Sequence, residues 1–281
     1  MMTNVLITGA SGGLGRAFAL ECARRGFGLL LTDIDAQGLQ KAAAGIRRQY
    51  AVPVETYACD ITADAAVEGL IGLAADKGMA LHMLFNVAGL DFEGAFQKRS
   101  FQDLASILRV NIEATLRITH RALQLRDPAR DFHIVFVSSL ASLYPIPLKA
   151  TYAASKRFLL DFSIALGEEL KPQGVHVLAL CPGGLSTRED CLQAIAAQGF
   201  WGNATTNDIE KVVRRTVARS LRGKTLYIPG LTNNLLRLGA RLVPPAVIAR
   251  LLHKRWLHAQ AQWLPLDGQG DTGCATCRNA V

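Results

Sequence analysis

The sequence predicts an α/β fold, with a doubly wound parallel sheet that is covered by helices on both faces. The first observation is a set of short apolar segments between turn residues, such as 4–8 and 28–33, which is typical of buried parallel strands. The second is that segments with helical spacing of apolar residues separate these strands. Strands that alternate with helices pair in parallel through right-handed crossovers.

The predicted elements follow one another in a regular order. Strands are predicted at residues 4–8, 28–33, 54–58, 81–86, 133–138, 175–180 and 225–228. Helices are predicted after the glycines of 9–15, after Asp35 to about 49, at 63–76, 101–125 and 208–221, and around Tyr152 up to Pro172. We expect one α/β domain at 1–230 with a substrate lid at about 186–206, an amphipathic helical extension at 231–262 and a flexible tail at 263–281.

A glycine-rich turn joins the first strand to the first helix. The segment Gly9-Ala-Ser-Gly-Gly-Leu-Gly15 lets the backbone approach a ligand closely at a helix N-terminus. Free N–H groups and the helix dipole favour anions there, so the turn predicts a pyrophosphate site. The alternative is a glycine-rich turn that binds nothing.

Asp33 ends the second predicted strand, 18 residues after Gly15. A carboxylate in this position can accept a hydrogen bond from the ribose 2′-OH of NAD, and it repels a 2′-phosphate. No Arg or Lys precedes Gly13 in the loop to offset that charge. We therefore expect NAD(H) to be favoured, with NADP(H) left open. Asp35 is close enough to share the role, and a solvated strand-end aspartate is the alternative.

Tyr152 and Lys156 lie four residues apart, so one helix face carries a phenol and an ammonium. A neighbouring cation favours phenolate, so we expect a lowered tyrosine pKa and a group suited to proton transfer. The pair alone also fits an ordinary exposed helix face. Ser139, thirteen residues upstream of the tyrosine, strengthens the functional interpretation.

Taken together, these residues resemble the short-chain dehydrogenase/reductase family, in its single-domain alcohol/ketone oxidoreductase branch. The matching motifs are Thr8-Gly-x-x-x-Gly13-x-Gly15, Asp60, Asn86-Val-Ala-Gly89, Asn111, Ser139, Tyr152-x-x-x-Lys156, and Pro182-Gly183 followed by Thr187. The resemblance implies a Rossmann fold of seven strands in the order 3-2-1-4-5-6-7. It also implies a homodimer or homotetramer.

The resemblance also implies roles for individual residues. Tyr152 would be the acid/base, Lys156 would tune it and bind the nicotinamide ribose, Ser139 would orient the substrate oxygen, and Asn111 would hold a water that leads to Lys156. The implied cofactor-binding residues are Thr8, Gly9, Ser11, Gly12, Gly13, Leu14, Gly15, Asp33, Cys59, Asp60, Ile61, Asn86, Ala88, Gly89, Tyr152, Lys156, Pro182, Gly183 and Thr187.

Apolar residues surround the expected substrate position. Phe200 and Trp201 lie in the predicted lid, and Leu143 and Tyr144 follow Ser139. With Ser139 they predict a site for a small apolar ketone, aldehyde or alcohol. The alternative is that these side chains only pack the lid.

The 31 Lys and Arg residues exceed the 23 Asp and Glu residues, and the chain carries a net charge of +8. No nucleic-acid-binding motif accompanies this charge, so we expect no nucleic-acid partner. Apolar residues, mostly leucines, recur at helical spacing in 231–258 with basic residues between them, which predicts either peripheral membrane contact or packing on the body or another subunit. A solvated basic face is the simplest alternative.

Composition sets further expectations. No signal peptide is predicted at the N-terminus, and we expect a cytoplasmic protein, with peripheral membrane contact as an option. Neither the histidines nor Cys274-x-x-Cys277 predict a metal site.

Two other functions remain open. The loop also fits Gly9-x-x-Gly12-x-x-Gly15, the spacing of nucleotide-sugar epimerases and dehydratases, and an intact motif set also fits an idle NAD(P)-sensing protein.

Overall fold

A computed structural model describes residues 2–185, 206–240 and 242–263. Its centre is a seven-stranded parallel sheet in the order β3-β2-β1-β4-β5-β6-β7, which confirms the predicted fold class and strand order. The strands are β1 (Asn4–Thr8), β2 (Gly28–Asp33), β3 (Val54–Ala58), β4 (Leu81–Asn86), β5 (Phe132–Val137), β6 (Val175–Leu180) and β7 (Leu226–Tyr227). The five inner strands, β1, β2, β4, β5 and β6, are mostly buried and apolar, as is typical of buried parallel strands, whereas β3 and β7 form the edges of the sheet.

Helices cover both faces of this sheet. They are α1 (Gly13–Arg24), α2 (Ala36–Gln49), α3 (Asp64–Asp76), α4 (Phe101–Leu108), α5 (Thr115–Gln124), α6 (Ala150–Leu170), α7 (Ile209–Ser220), α8 (Leu231–Ala240) and α9 (Pro245–Trp263). Local signals fix several of their starts. The carboxylates of Asp35 and Asp208 accept hydrogen bonds from backbone N–H groups three residues later, which caps α2 and α7.

Two apolar cores lie on opposite faces of the sheet, because successive side chains of a strand alternate between its faces. Val5 and Ile7 face the core formed with α1, α2 and α7. Leu6 and Leu30 face the core formed with α3, α5 and α6. This division is the doubly wound architecture, in which helices bury one apolar stripe on each face.

The long helix predicted at 101–125 differs from expectation in its hydrogen bonding. A π-helical turn at Arg109–Ala114 separates α4 from α5. The apolar spacing through this stretch is compatible with an uninterrupted α-helix, so the sequence pattern did not reveal the wider turn. π-turns of this kind occur often at functional sites.

Two further helices, α8 and α9, follow β7. The Asn233 side chain anchors α8 to the preceding loop by donating to the Pro229 carbonyl oxygen at 2.7 Å. In the described part of the chain, no helix is long and apolar enough to cross a membrane. The predicted lid at 186–206 lies almost wholly outside the described residues, as does the tail beyond 263, and the predicted domain limits stay predictions.

Candidate active site

A cleft opens at the carboxyl ends of β1, β2 and β4, where the strand order changes direction between β1 and β4. Open α/β sheets bind ligands at such a switch point, because the loops on either side diverge there. The cleft has a volume of about 710 Å³. Its walls include Gly9, Gly12, Asp33, Asp60, Ile61 and Gly89, all from the predicted cofactor set.

Glycine is required at two places in the loop between β1 and α1. Gly9 has a φ of +68°, and a Cβ there would lie 2.8 Å from the Ala88 backbone nitrogen. A Cβ on Gly15 would lie only 2.0 Å from the Gly9 carbonyl oxygen. The loop is therefore folded tightly on itself and against the chain after β4.

The start of α1 has the donors that a pyrophosphate needs. Gly12 is its N-cap residue, and among the described residues no side chain caps the first turn or adds an acidic charge to it. The backbone N–H groups that begin at Gly13 are thus left for an external acceptor. Together with the cleft, this loop fits a dinucleotide. Ser11 and Leu14 share the loop, with Leu14 fully buried in the core.

Asp33 is held rigidly at the end of β2. Its Oδ2 accepts a hydrogen bond from Ser11 N at 2.9 Å, and its Oδ1 accepts one from Asp35 N at 3.0 Å. Asp35 instead caps α2 by accepting from Gly38 N at 3.0 Å. Of the two aspartates, Asp33 is therefore the one fixed beside the glycine loop.

The floor of the cleft is a polar link between β1 and β4. The Thr8 hydroxyl accepts from Val87 N at 3.0 Å and from Ala88 N at 3.2 Å. Asn86 donates from Nδ2 to the Thr119 hydroxyl at 2.9 Å, so it ties β4 to α5. These two residues position the loops that line the cleft.

The remaining predicted cofactor residues lie along the same edge of the sheet. The Cys59 thiol contacts the Thr32 hydroxyl at 3.3 Å, and Asp60 accepts from Thr62 N at 2.8 Å. Pro182 accepts from Leu140 N at 2.7 Å, and Gly183 N donates to Asn207 Oδ1 at 3.1 Å. Thr187 lies outside the described residues.

Tyr152 and Ser139 come together beside the cleft. Ser139 ends the extended segment after β5, where its hydroxyl accepts from Ala141 N at 3.1 Å and caps a short 3₁₀ helix. The Ser139 side chain also lies close enough to the Tyr152 phenol to lower the pKa of that phenol. Ser138 points elsewhere and donates to the Lys156 carbonyl oxygen at 2.7 Å, as strand alternation predicts.

The expectation of a lowered tyrosine pKa is wrong for this structure. Burial raises the pKa of Tyr152 above its ordinary value, and the negative charge of Asp91 raises it further. Lys149 and the Ser139 contact lower the pKa but do not outweigh burial. The main cause is desolvation: Tyr152 is 8% exposed, and the loss of hydrating water disfavours the charged phenolate.

Lys156 is buried, and its Nζ donates to the Val137 carbonyl oxygen at 2.9 Å. The Nζ lies 5.7 Å from the centre of the Tyr152 ring. Burial lowers the pKa of Lys156 to about 8, although the charge of Asp91 partly opposes this shift. Burial therefore brings the pKa of this lysine closer to neutral pH than that of an exposed lysine, a shift that the sequence did not predict.

Asn111 lies on the π-turn and is fully buried. Its Oδ1 accepts from Leu90 N at 2.7 Å, and its Nδ2 donates to the Leu90 carbonyl oxygen at 2.9 Å and to the Ser155 hydroxyl at 3.0 Å. The side chain thus joins the loop after β4 to α6. Its predicted role of holding a water stays a prediction.

Three charged residues beside Tyr152 were missed by sequence reasoning. Lys149 Nζ lies 2.7 Å from Asp91 Oδ2, 3.5 Å from Glu93 Oε2 and 5.7 Å from the centre of the Tyr152 ring. Although burial opposes its charge, the two carboxylates raise the pKa of Lys149. Because Asp91 and Glu93 are 56 or more residues from Lys149 in the chain, no local sequence motif predicts that these three side chains meet.

The sequence also gave no signal for Arg109, which lines the cleft from the side of α4. It is an exposed cation in the π-turn, two residues before Asn111. Its charge lies on the wall of a cleft that fits a dinucleotide and so favours anionic ligands there. Arg109 is distant in sequence from Gly9 and Asp33, and it lines the same cleft with them only in the folded chain.

The predicted substrate residues are only partly described. Leu143 packs against the apolar cluster of Leu160, Ala179, Cys181 and Ile228. The Tyr144 hydroxyl is buried and has no hydrogen-bond partner among the described residues, and burial raises the pKa of Tyr144 to about 12. Phe200 and Trp201 lie outside the described residues.

The whole arrangement matches a known family. A sequence model of the short chain dehydrogenases matches residues 3–193, which is more than half of the chain. This chain belongs to the short chain dehydrogenase family. The family match agrees with the glycine loop, the Ser139–Tyr152 contact and the buried Lys156. It does not favour the nucleotide-sugar epimerase or dehydratase alternative.

Individual relatives are more distant. A very-long-chain 3-oxoacyl-CoA reductase of Phaeosphaeria nodorum is 35% identical over 181 residues, which cover 62% of this chain and 52% of that protein. One from Laccaria bicolor is 31% identical over 175 residues, covering 61% and 52%. The similarity therefore extends over only about half of the length of these reductases.

Solved structures share the fold. An NAD⁺-bound xylitol dehydrogenase aligns with a TM-score of 0.69 at 25% identity, covering 78% of this chain and 92% of the other. The L-sorbose reductase of Gluconobacter frateurii, solved with NADPH and L-sorbose, aligns with a TM-score of 0.73 at 19% identity, covering 82% and 95%. At such identity the second likeness concerns the fold alone.

Proposed function

We propose that this protein is an NAD(P)-dependent oxidoreductase that interconverts a carbonyl group and a secondary alcohol. The observation that carries the proposal is that Ser139 and Tyr152 lie close together at the same carboxyl edge of the sheet as a cleft whose glycine loop fits a dinucleotide. Asn111 links the two regions, because it bonds to Leu90 in the wall of the cleft and to Ser155 on the helix of Tyr152. Lys156 lies one helical turn further along α6 and is buried with its amine next to the same site. Family membership supports this reading of the residues.

The nicotinamide cofactor, when bound, exchanges a hydride with the substrate carbon. Tyr152 moves the matching proton at the substrate oxygen, donating it in reduction and accepting it in oxidation. Ser139 holds that oxygen in place by a hydrogen bond. Lys156, with a pKa near 8, is suited to resupply the tyrosine with protons. Asn111 fixes the loop after β4 against α6 and so holds the helix that carries Tyr152 and Lys156 in a constant position relative to that loop.

The direct test is binding followed by turnover. The chain is titrated with NADH and NADPH, and the cofactor that binds more tightly is used in a screen of apolar ketones and secondary alcohols. Binding together with turnover supports the proposal. Binding without turnover of any carbonyl or alcohol would instead favour a cofactor-sensing protein, and binding of neither cofactor would overturn the proposal.

We further propose that NAD(H) is the preferred cofactor, since Asp33 is fixed beside the glycine loop. Asp33→Asn removes the charge and keeps the shape of the side chain. We expect the ratio of the Kd for NADPH to the Kd for NADH to fall by about tenfold or more, because repulsion of the 2′-phosphate is lost. Fluorescence titration with both cofactors measures this ratio.

Asp35→Asn is the matched control for this substitution. Asparagine caps a helix as well as aspartate does, so α2 keeps its start, and Asp33 keeps its charge. An unchanged ratio in Asp33→Asn, or an equal change in the control, would contradict the assignment. Wild-type preference for NADPH would show that a cation such as Arg109 outweighs Asp33.

For the substrate we propose a long apolar carbonyl compound or alcohol. Leu143 and Tyr144 supply apolar surface beside Ser139, and the Tyr144 hydroxyl, which has no partner in the described part of the chain, offers one hydrogen bond to the substrate. The relatives named as reductases of very-long-chain 3-oxoacyl-CoA support the same class. We also propose a cytoplasmic homodimer or homotetramer, in line with the family resemblance.

The cluster around Lys149 should set the pH dependence of the reaction. The charged groups near Tyr152 are Asp91, Lys149, Glu93 and Lys156, and Asp91 is the one that raises the pKa of the tyrosine. Asp91→Asn removes that negative charge, so phenolate forms more easily. We expect the acidic limb of the pH profile for alcohol oxidation to move to lower pH.

The control for the Lys149 cluster is Glu93→Gln. Glu93 also contacts Lys149, but it does not act on the pKa of Tyr152 directly. We expect a smaller shift of the profile in this variant. If Asp91→Asn lowered the rate at every pH without moving the limb, Asp91 would be only a structural partner of Lys149.

A further inference from the structure

The charge of this chain is concentrated in one segment. Residues 211–266 contain eleven Lys and Arg residues and no Asp or Glu. The other 20 Lys and Arg residues are fewer than the 23 Asp and Glu residues of the chain. The net charge of +8 is therefore due to this segment, which includes α8 and α9.

The same segment exposes an apolar stripe. Leu231, Leu235 and Leu238 are spaced at four and three residues on α8, so they lie on one helix face, and Leu242 follows at the same spacing. Their side chains are 86%, 70%, 59% and 82% exposed. On the opposite face Asn233 is fully buried and anchors the helix, which leaves the leucines directed away from the body.

The next helix, α9, also exposes apolar and basic side chains. Val247 and Leu251 on α9 are 40% and 62% exposed, and Arg250 between them is exposed as well. A helical segment with exposed leucines, many cations and no carboxylate has the composition of one that lies flat in a membrane interface. Single exposed apolar residues are common on protein surfaces, but a continuous stripe of this kind marks an interaction site.

We propose that α8 and α9 dock this protein on a lipid bilayer that contains anionic headgroups. The leucine stripe enters the boundary between headgroups and acyl chains, and exposed cations of α9 such as Arg250 contact lipid phosphates. A second copy of the chain is a poorer occupant. In a two-fold interface each copy would bring cations of this segment against those of its partner, with no carboxylate from either segment to neutralise them.

Vesicle sedimentation tests the proposal with the full chain. Phosphatidylcholine vesicles are compared with vesicles that mix phosphatidylcholine and phosphatidylglycerol. We expect binding to the anionic vesicles that weakens as salt is added, and little binding to the neutral ones. Leu235→Ser/Leu238→Ser should reduce the partition coefficient about a hundredfold, because two leucines no longer enter the apolar boundary. Arg250→Gln should reduce it by about fivefold.

The control is Phe101→Ser, which removes a 78% exposed apolar side chain outside the segment. Its vesicle binding should equal that of the wild-type chain, and circular dichroism confirms that each variant is folded. The proposal is overturned if the wild-type chain ignores both kinds of vesicle, or if the leucine variant binds as well as wild type. It is also overturned if sedimentation equilibrium shows an oligomer that the leucine variant dissociates, because the stripe then contacts a second copy. None of these readouts depends on turnover.

Discussion

Tyr152→Phe is expected to reduce turnover by about a thousandfold while the Kd for the cofactor stays nearly unchanged. The substitution removes the hydroxyl that would move a proton at the substrate oxygen, and general acid–base catalysis contributes about 10²–10⁴-fold to a rate. The ring remains to fill the same buried space, so the fold should be kept. Steady-state rates in both directions and a cofactor titration measure the two quantities.

Tyr227→Phe is the control for this experiment. It makes the same chemical change at a second buried tyrosine, whose ring packs in the core and under Arg219. We expect nearly wild-type turnover in this variant. If Tyr152→Phe kept wild-type turnover, the proton would have to come from another group and the proposed function would lose its central residue.

Gly15→Ala is expected to weaken cofactor binding by about a hundredfold or more and to lower the free energy of unfolding by about 1–3 kcal/mol. The added methyl group would lie 2.0 Å from the Gly9 carbonyl oxygen and 2.9 Å from the Ala10 Cα. These are backbone atoms of the loop itself, so the loop must move to make room. Its N–H groups would then no longer converge on a pyrophosphate. Calorimetric titration and chemical denaturation measure both effects.

Gly45→Ala offers a matched control for the loop substitution. Gly45 lies inside α2, and a Cβ there would meet no atom within 4 Å. Because alanine favours the helix over glycine, we expect this variant to gain about 0.5–1 kcal/mol of stability and to bind cofactor normally. Equal cofactor affinity in Gly15→Ala and wild type would show that the loop does not hold the ligand.

The sheet could be predicted from the sequence because its signals are local. Strands such as Asn4–Thr8 and Val175–Leu180 are apolar runs between turn residues, and their bounds agree with the structure. The glycine loop could also be predicted, since Gly9 and Gly15 are needed by backbone geometry at those positions. The strand order came from the family resemblance and was confirmed.

The electrostatics of the site could not be predicted in the same way. Spacing alone placed Lys156 on the face of Tyr152, but the pKa of the tyrosine depends on how deeply both groups are buried. Asp91 and Lys149 are neighbours only because the loop after β4 meets the start of α6. Such contacts follow from tertiary packing, which a linear pattern does not contain.

The π-turn at Arg109–Ala114 has a consequence for the phase of the helix that contains it. A π-turn holds about one residue more than an α-turn, and one residue corresponds to about 100° of rotation. If the same residues formed an uninterrupted α-helix, the part after the turn would therefore be rotated by about 100° from its present orientation relative to the part before the turn. If Asn111 kept its bonds to Leu90, then Ile118 and Ala122 would turn out of their core. The extra residue allows one helix to present a polar side chain to the site and an apolar face to the sheet. The main effect of deleting a single residue here would thus be to rotate the part of the helix after the turn about its axis. The shortening of the helix would be a smaller effect.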